Sequence, residues 1–284
     1  MNMDIKFIRK ISSEPQSLLE DLKDIFRSKF LIYEFTKKEF TTAYAQTILG
    51  PAYFILLPLV QSVVFTFFIK NLNDKSMING VPTFIFLLLS TTFWNYFYLS
   101  SIKNSGVFLL NRKIIIRVYV NKLIFFISSS LITLSHLLIN LVVMFLVLVI
   151  YNLFYGDIGI VYSSKILLIP FLIFYTLVLS LFIGIAISSI SIKYRDIVYG
   201  LPFLFNMLFF LSPVLYSVDQ KSNLYFLFLL NPIAFPLEVF RWCFLNNYSI
   251  QSDLILINII IFLFLGFFSL FFYKKIENKI SDII

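Results

Sequence analysis

The sequence predicts an all-α integral membrane protein. It has six transmembrane helices, an N-terminal amphipathic interface helix, and short re-entrant or interfacial helices before the last span. Three observations predict this. The 284 residues are 60% hydrophobic with a mean hydropathy of +0.91, far outside the soluble range. Apolar runs long enough to cross a hydrocarbon core of about 30 Å recur along the chain. The 23 Lys and Arg, against 15 Asp and Glu, gather between those runs.

The composition also excludes. A net charge of +8 would suggest nucleic acid in a soluble protein, but here it reads as basic cytoplasmic loops. One cysteine, Cys243, leaves no internal disulfide or thiolate metal site. One histidine, His136, removes most metal and acid–base constellations. The first 30 residues are polar and hold Pro15, so no cleavable signal peptide is expected.

Residues 1–50 form a cytoplasmic segment. Leu18, Leu22, Ile25 and Phe26 mark a short amphipathic helix. Over residues 31–49, Ile32, Tyr33, Phe40, Ala43, Tyr44 and Ile48 share a broad face, and Phe35 breaks it. Such a helix lies in the interface plane with Tyr at headgroup level. Gly50 and Pro51 turn the chain into the membrane.

Residues 51–273 hold the spans, at about 51–70, 82–102, 123–151, 166–192, 197–217 and 254–273. Pro58 in the first frees a backbone carbonyl, so its face should meet protein. Trp94, Tyr96 and Tyr98 are expected as an interfacial belt at the end of the second. Residues 103–122 read as a basic loop whose apolar residues let part of it form a surface helix. The third run exceeds what a bilayer needs and should tilt or project. Ser180, Gly184 and Ser188 make a small-residue face for close packing in the fourth. Within 218–253, Asn231-Pro232 and Pro236 break short apolar segments, as in re-entrant helices. Residues 274–284 are a cytoplasmic tail.

With the N-terminus inside, 18 of the 23 basic residues fall on the cytoplasmic side. Both termini are then cytoplasmic, and 218–253 faces out. Away from their ends, the six spans hold no Asp, Glu, Lys or Arg, so a proton-driven pump is a poor fit. The chain also lacks a G-x-x-x-x-G-K-[ST] phosphate loop. Transport would need energy from another subunit.

Several stretches carry a family likeness. They are Lys38-Glu39-Phe40 through Tyr44, Gln46 through Pro51, Leu57-Pro58-Leu59, and Phe93-Trp94-Asn95-Tyr96-Phe97. Tyr194-Arg195-Asp196, Leu211-Ser212-Pro213-Val214-Leu215-Tyr216, Asn231-Pro232, Phe240-Arg241 and the tail from Tyr273 complete the set. In order and spacing they resemble the permease subunits of type-2 ABC exporters, in the polysaccharide branch that exports O-antigen, teichoic acid and other lipid-linked glycans. The resemblance implies a homodimer of six-span subunits in the bacterial cytoplasmic (inner) membrane. It implies two copies of an ABC-type ATP-binding subunit, which hold ATP and Mg; no cofactor is expected on this chain. The implied substrate is a polyprenyl-pyrophosphate-linked glycan.

Candidate sites fall on both sides of the membrane. Arg112, Lys113 and Arg117 would meet the ATPase or attract the pyrophosphate headgroup; the other reading is a topology signal with anionic-lipid contact. Tyr194, Arg195 and Asp196 would pass ATPase motion into the fifth span, or form an Arg–Asp cap on a tight turn. Tyr33, Phe40 and Tyr44 belong to the interface helix. Pro213, Tyr216, Asn231, Pro232, Glu238 and Arg241 are the candidate outer gate; Glu238 and Arg241 are spaced to pair on one helix. The 36 Phe and 16 Tyr either stack on sugars or serve as lipid-facing bulk. Two other functions stay open: a membrane-embedded glycosyltransferase or polymerase acting on lipid-linked sugars, and a drug or lipid exporter of the same fold.

Overall fold

The computed structural model describes residues 18–44, 52–73, 77–78, 80–118, 120–156, 164–217, 225–245 and 250–277. It begins with α1 (Leu18–Arg27) and α2 (Lys29–Tyr44), which are nearly continuous. The Ser28 N–H bonds Asp24 O and the Ile32 N–H bonds Ser28 O, each at 3.0 Å. Helix α3 (Ala52–Asn73) leads to a small antiparallel hairpin, β1 (Met77–Ile78) and β2 (Val81–Pro82). Gly80 between the strands has φ +76°, which a side chain would resist. Then come α4 (Thr83–Ser105), α5 (Val107–Leu110), α6 (Arg112–Arg117) and α7 (Leu123–Tyr155). A 3-10 turn (Ser164–Leu168) opens α8 (Ile169–Ser191). The chain continues as α9 (Asp196–Leu211), α10 (Tyr225–Leu230), α11 (Ala234–Phe244) and α12 (Ser252–Glu277).

Among the described residues, four helices are long and apolar enough to cross a membrane: Thr83–Ser105, Leu123–Tyr155, Ser164–Ser191 and Ser252–Ile276. Shorter apolar helices occupy Ile55–Asn71 and Asp196–Leu211. At 33 residues, α7 is about 50 Å long, and Leu153, Phe154 and Tyr155 at its end are exposed.

Helix α4 is the central post. It packs against α3, α7, α8, α9 and α11, and 18 of its 23 residues are buried. Its seam with α8 has the small-residue face expected from sequence. Ser100 and Ser180 hydroxyls bond at 2.7 Å, and just past the end of α4 the Phe108 N–H of α5 donates to Ser188 Oγ at 3.2 Å. A Cβ on Gly184 would overlap Asn104 Cβ and stand 3.0 Å from the Asn104 carbonyl carbon. Asn104 Nδ2 in turn donates to Ser130 Oγ on α7 at 3.0 Å. Without water to satisfy them, these polar groups can be buried only as neighbours. Pro58 is also buried as expected, and its carbonyl accepts from Thr91 Oγ1 at 3.4 Å.

Several expectations are corrected. The fifth span is helical only over Asp196–Leu211, 16 residues or about 24 Å, not to residue 217. Pro213 disfavours helix at Ser212, which is extended at φ −91° and ψ 150°. Trp94, Tyr96 and Tyr98 form no belt at a helix end. Trp94 and Tyr96 are buried and Tyr98 is half-buried, all in mid-α4, because α4 runs on to Ser105. Lys103 therefore lies in that helix's last turn rather than in a loop. On α2 the packed face is Ile32, Phe35, Thr36 and Glu39. Phe35 packs on Phe125 with ring centroids 4.9 Å apart. Tyr33 and Phe40 point outward, Tyr33 with 59% exposure. Helix α7 supplies the partner that selects this face, and sequence periodicity does not show it. Ile48, Gly50 and Pro51, and the side chains of Ala43 and Tyr44, lie outside the described residues. Pro236 does not break a helix but sits in the first turn of α11, where its missing N–H would have no intrahelical acceptor. Lys274 and Lys275 fall inside the last turn of α12.

Gly184→Ala should destabilise by about 1–3 kcal/mol, read as a lower thermal midpoint of the purified protein. Gly200→Ala, where an added Cβ meets nothing within 4 Å, should leave the midpoint unchanged or raise it.

Candidate functional site

The residues picked out as an outer gate come together around one side chain. Helices α10 and α11 meet at Asn231 and Pro232, and the non-helical stretch after α9 folds against them. Arg241 on α11 is fully buried. A guanidinium has five N–H donors, and five acceptors surround this one. Nε donates to Ser90 Oγ at 2.8 Å. Nη1 donates to Glu238 Oε1 at 2.9 Å and to Tyr216 O at 3.3 Å. Nη2 donates to Pro213 O and, at 3.3 Å, to Val214 O. The guanidinium carbon lies 4.1 Å from the Phe86 ring centroid.

The Glu238–Arg241 pairing expected from spacing is therefore present, but as a buried ion pair and not as a surface support. Asn231 ties the second half. Its Nδ2 donates to Ser212 Oγ at 2.7 Å, and its Oδ1 accepts from the Ile233 N–H at 3.2 Å. Tyr216 OH donates to Phe210 O at 2.6 Å. Pro213 and Asn231 are buried, and Pro232 and Tyr216 half-buried. Ser90 and Phe86 also belong to this clasp, and sequence reasoning missed them; Ser212, singled out only as part of a motif, joins them. Nothing local distinguishes Ser90 from its hydroxyl neighbours Thr91 and Thr92; its role depends on a residue 151 positions away.

The second set gathers at the opposite end of α4. A separate apolar core there joins Phe35 of α2, Val107 and Phe108 of α5, Ile115 of α6, Phe125 of α7, Ile192 after α8, and Tyr273 of α12. It brings α6 and the turn at 193–196 to one end. Arg112, Lys113 and Arg117 lie on α6, the surface helix expected within 103–122, and all three are exposed. Tyr194, Arg195 and Asp196 are also exposed. Among the described residues no ion pair joins Arg195 to Asp196, so the expected internal cap is not formed. Asp196 instead stands in the first turn of α9, where its charge suits the helix dipole. With Lys103, Lys122, Lys193, Lys274 and Lys275, this end is strongly basic.

On α2, burial lifts the Glu39 carboxyl above its usual range, and Lys103 and then Lys38 partly offset this. The folded protein thus holds a proton there more tightly than the unfolded chain. The penalty is absent at acid pH. It grows as pH rises through the unfolded carboxylate range and is complete above the folded value. Glu39→Gln should raise the thermal midpoint at neutral pH and give no gain under acid conditions; unfolding curves at the two pH values check it.

Arg241→Ala leaves Glu238 and three inward carbonyls unmatched. It should cost about 3–5 kcal/mol, seen as lost accumulation and a lowered midpoint. Arg241→Lys, with three donors and no fork, should recover little of this.

Two features therefore define the chain. One is a basic end. The other is a clasp closing an uncharged bundle. No match is found among curated proteins. The ABC-2 type transporter family matches residues 31–245, from α2 through the clasp, and the chain belongs to that family of transporter membrane components.

Proposed function

We propose that this chain is the channel-forming permease subunit of an ATP-driven exporter. Its cargo is a polyprenyl-pyrophosphate-linked polysaccharide of O-antigen type, moved across the bacterial cytoplasmic membrane. Six crossings are counted, with α3 and α9 joining the four longer spans. Helix α2 is the interface helix. Both termini and the basic end are cytoplasmic, where two ATP-binding subunits dock and hold ATP and Mg. The clasp faces outward.

One observation carries this reading. The outward faces of α7 and α12 are apolar along the membrane, as lipid requires: Leu138, Val142 and Leu146 on one, Ile260, Leu263 and Phe267 on the other. The outward face of α9 is different. It exposes Asn206 and Gly200 between Tyr199 and Phe210. An amide facing hydrocarbon is costly. A homodimer that brings the α9 faces together gives Asn206 water or a partner. The path is then uncharged and aromatic, suited to sugars. The motifs shared with the polysaccharide branch support the glycan. Helix α9 also starts at the exposed Tyr194-Arg195-Asp196 turn and ends at the clasped Ser212–Ser217 stretch, so ATPase motion at one end would reach the other.

A tagged chain taken from native membranes in mild detergent should bring down an ATPase with a phosphate loop in equal amount. Replacing Arg112, Lys113 and Arg117 together by Gln should lower glycan export without loss of the chain from the membrane. Recovery of the chain alone or with sugar-transfer enzymes, or normal export by the triple variant, overturns the reading.

A further inference from the structure

Between α3, α4 and α7 lies a cavity of about 140 Å³. Leu57, Leu99 and Leu137 line it, together with Tyr53 and Tyr98. The polar residues around it offer a ligand little. The Tyr96 hydroxyl, both ring nitrogens of His136 and the Asn140 amide oxygen have almost no accessible surface. Asn95 Nδ2 donates to Gln61 Oε1 at 2.8 Å, and Thr133 Oγ1 to Ser130 O at 2.9 Å. Among the described residues, no Asp, Glu, Lys or Arg lines the cavity. The wall that an occupant meets is therefore mostly hydrocarbon.

Size, depth and access narrow the occupant. An apolar cavity of about 150 Å³ stays dry and admits one bare six-membered ring, so this one takes about five or six carbons. Its depth is that of lipid-facing residues. On α3, Leu56 and Val60 are exposed on either side of Leu57. On α7, Leu131 and Leu138 are exposed beside Thr133 and Leu137. Among the described lining residues Tyr53, in the first turn of α3, is the exposed one, and it marks the opening. Leu99 stands one turn from Lys103, so the cavity lies toward the basic end. The medium at that depth is lipid chains. Water entering from it would leave its hydrogen bonds unmade. A hydrocarbon chain restores the dispersion contacts that an empty wall forfeits.

We infer that this cavity holds about five or six carbons of a lipid hydrocarbon chain, drawn from the leaflet on the basic side. The acyl chain of a phospholipid and the isoprenoid chain of a polyprenyl carrier present the same chemistry. The site requires only the membrane around it. An isoprenoid occupant would tie it to the cargo proposed above, and that source alone rests on the glycan-export reading.

The test uses the full chain in phospholipid vesicles that carry one of two light-activated probes. One is a phosphatidylethanolamine with a diazirine on its acyl chain; the other is a polyprenyl phosphate with a diazirine on its isoprenoid chain. After illumination, mass spectrometry maps the labelled residues. Leu138 is exposed, and any neighbouring lipid should label it. Leu137 is buried on the cavity wall, so a chain reaches it from within. The wild type should carry label on both. Leu99→Phe and Leu57→Phe fill the cavity from different helices at half-buried positions. Each should lose most of the label on Leu137 while keeping that on Leu138 and a monodisperse profile. If one variant fails to fold, the other reads the same loss. No label on Leu137 from either probe, or undiminished label in a folded variant, overturns the inference. Label on Leu137 from the acyl probe assigns a phospholipid chain and label from the isoprenoid probe a polyprenyl chain; either supports the site. Failure of the export reading shows separately, as glycan export unaffected by deletion of the chain, and leaves the site standing.

Discussion

A charge buried in a membrane bundle must be neutralised and fully hydrogen-bonded, and Arg241 meets both conditions at once. Glu238 supplies the opposite charge, while Ser90 and the carbonyls of Pro213, Val214 and Tyr216 take the remaining donors. The dependence is mutual. Non-helical backbone at membrane depth persists only where its carbonyls find donors within the protein. The Ser212–Ser217 stretch is non-helical and packed inside the protein, and the guanidinium donates to its Pro213, Val214 and Tyr216 carbonyls. Helix α9 can stop at Leu211 because Arg241 donates to the carbonyls of the non-helical residues beyond it.

From that point the rest of the bundle is set in order. Ser90 and Phe86 place the clasp on the first third of α4, so the central post also positions α11 and the α9 exit. The far third of α4 meets α8 through Ser100, Asn104 and the missing Cβ of Gly184. Beyond it, the apolar core that includes Phe35, Ile115, Ile192 and Tyr273 holds α2, α6, the 193–196 turn and the end of α12 together. These two packed ends flank α9.

The uncharged interior has a physical consequence. With acids and bases confined to the ends and to one satisfied pair, the spans carry hydroxyls, amides and rings. Such an interior meets its hydrogen-bonding needs between neighbouring helices rather than through charges.

Sequence alone determined the helical membrane class, four of the long apolar helices, the small-residue face at Ser180, Gly184 and Ser188, the broken helices around Asn231-Pro232 and the pairing of Glu238 with Arg241. Each is local: hydropathy is read over about 20 residues, and proline and residue spacing act within a few turns. Tertiary structure decided what depends on distant partners. Phe35 faces inward because α7 receives it. Trp94 and Tyr96 are core residues because α4 is enclosed by other helices. Arg241 is a clasp because Ser90, 151 positions away, and three carbonyls beyond α9 converge on it.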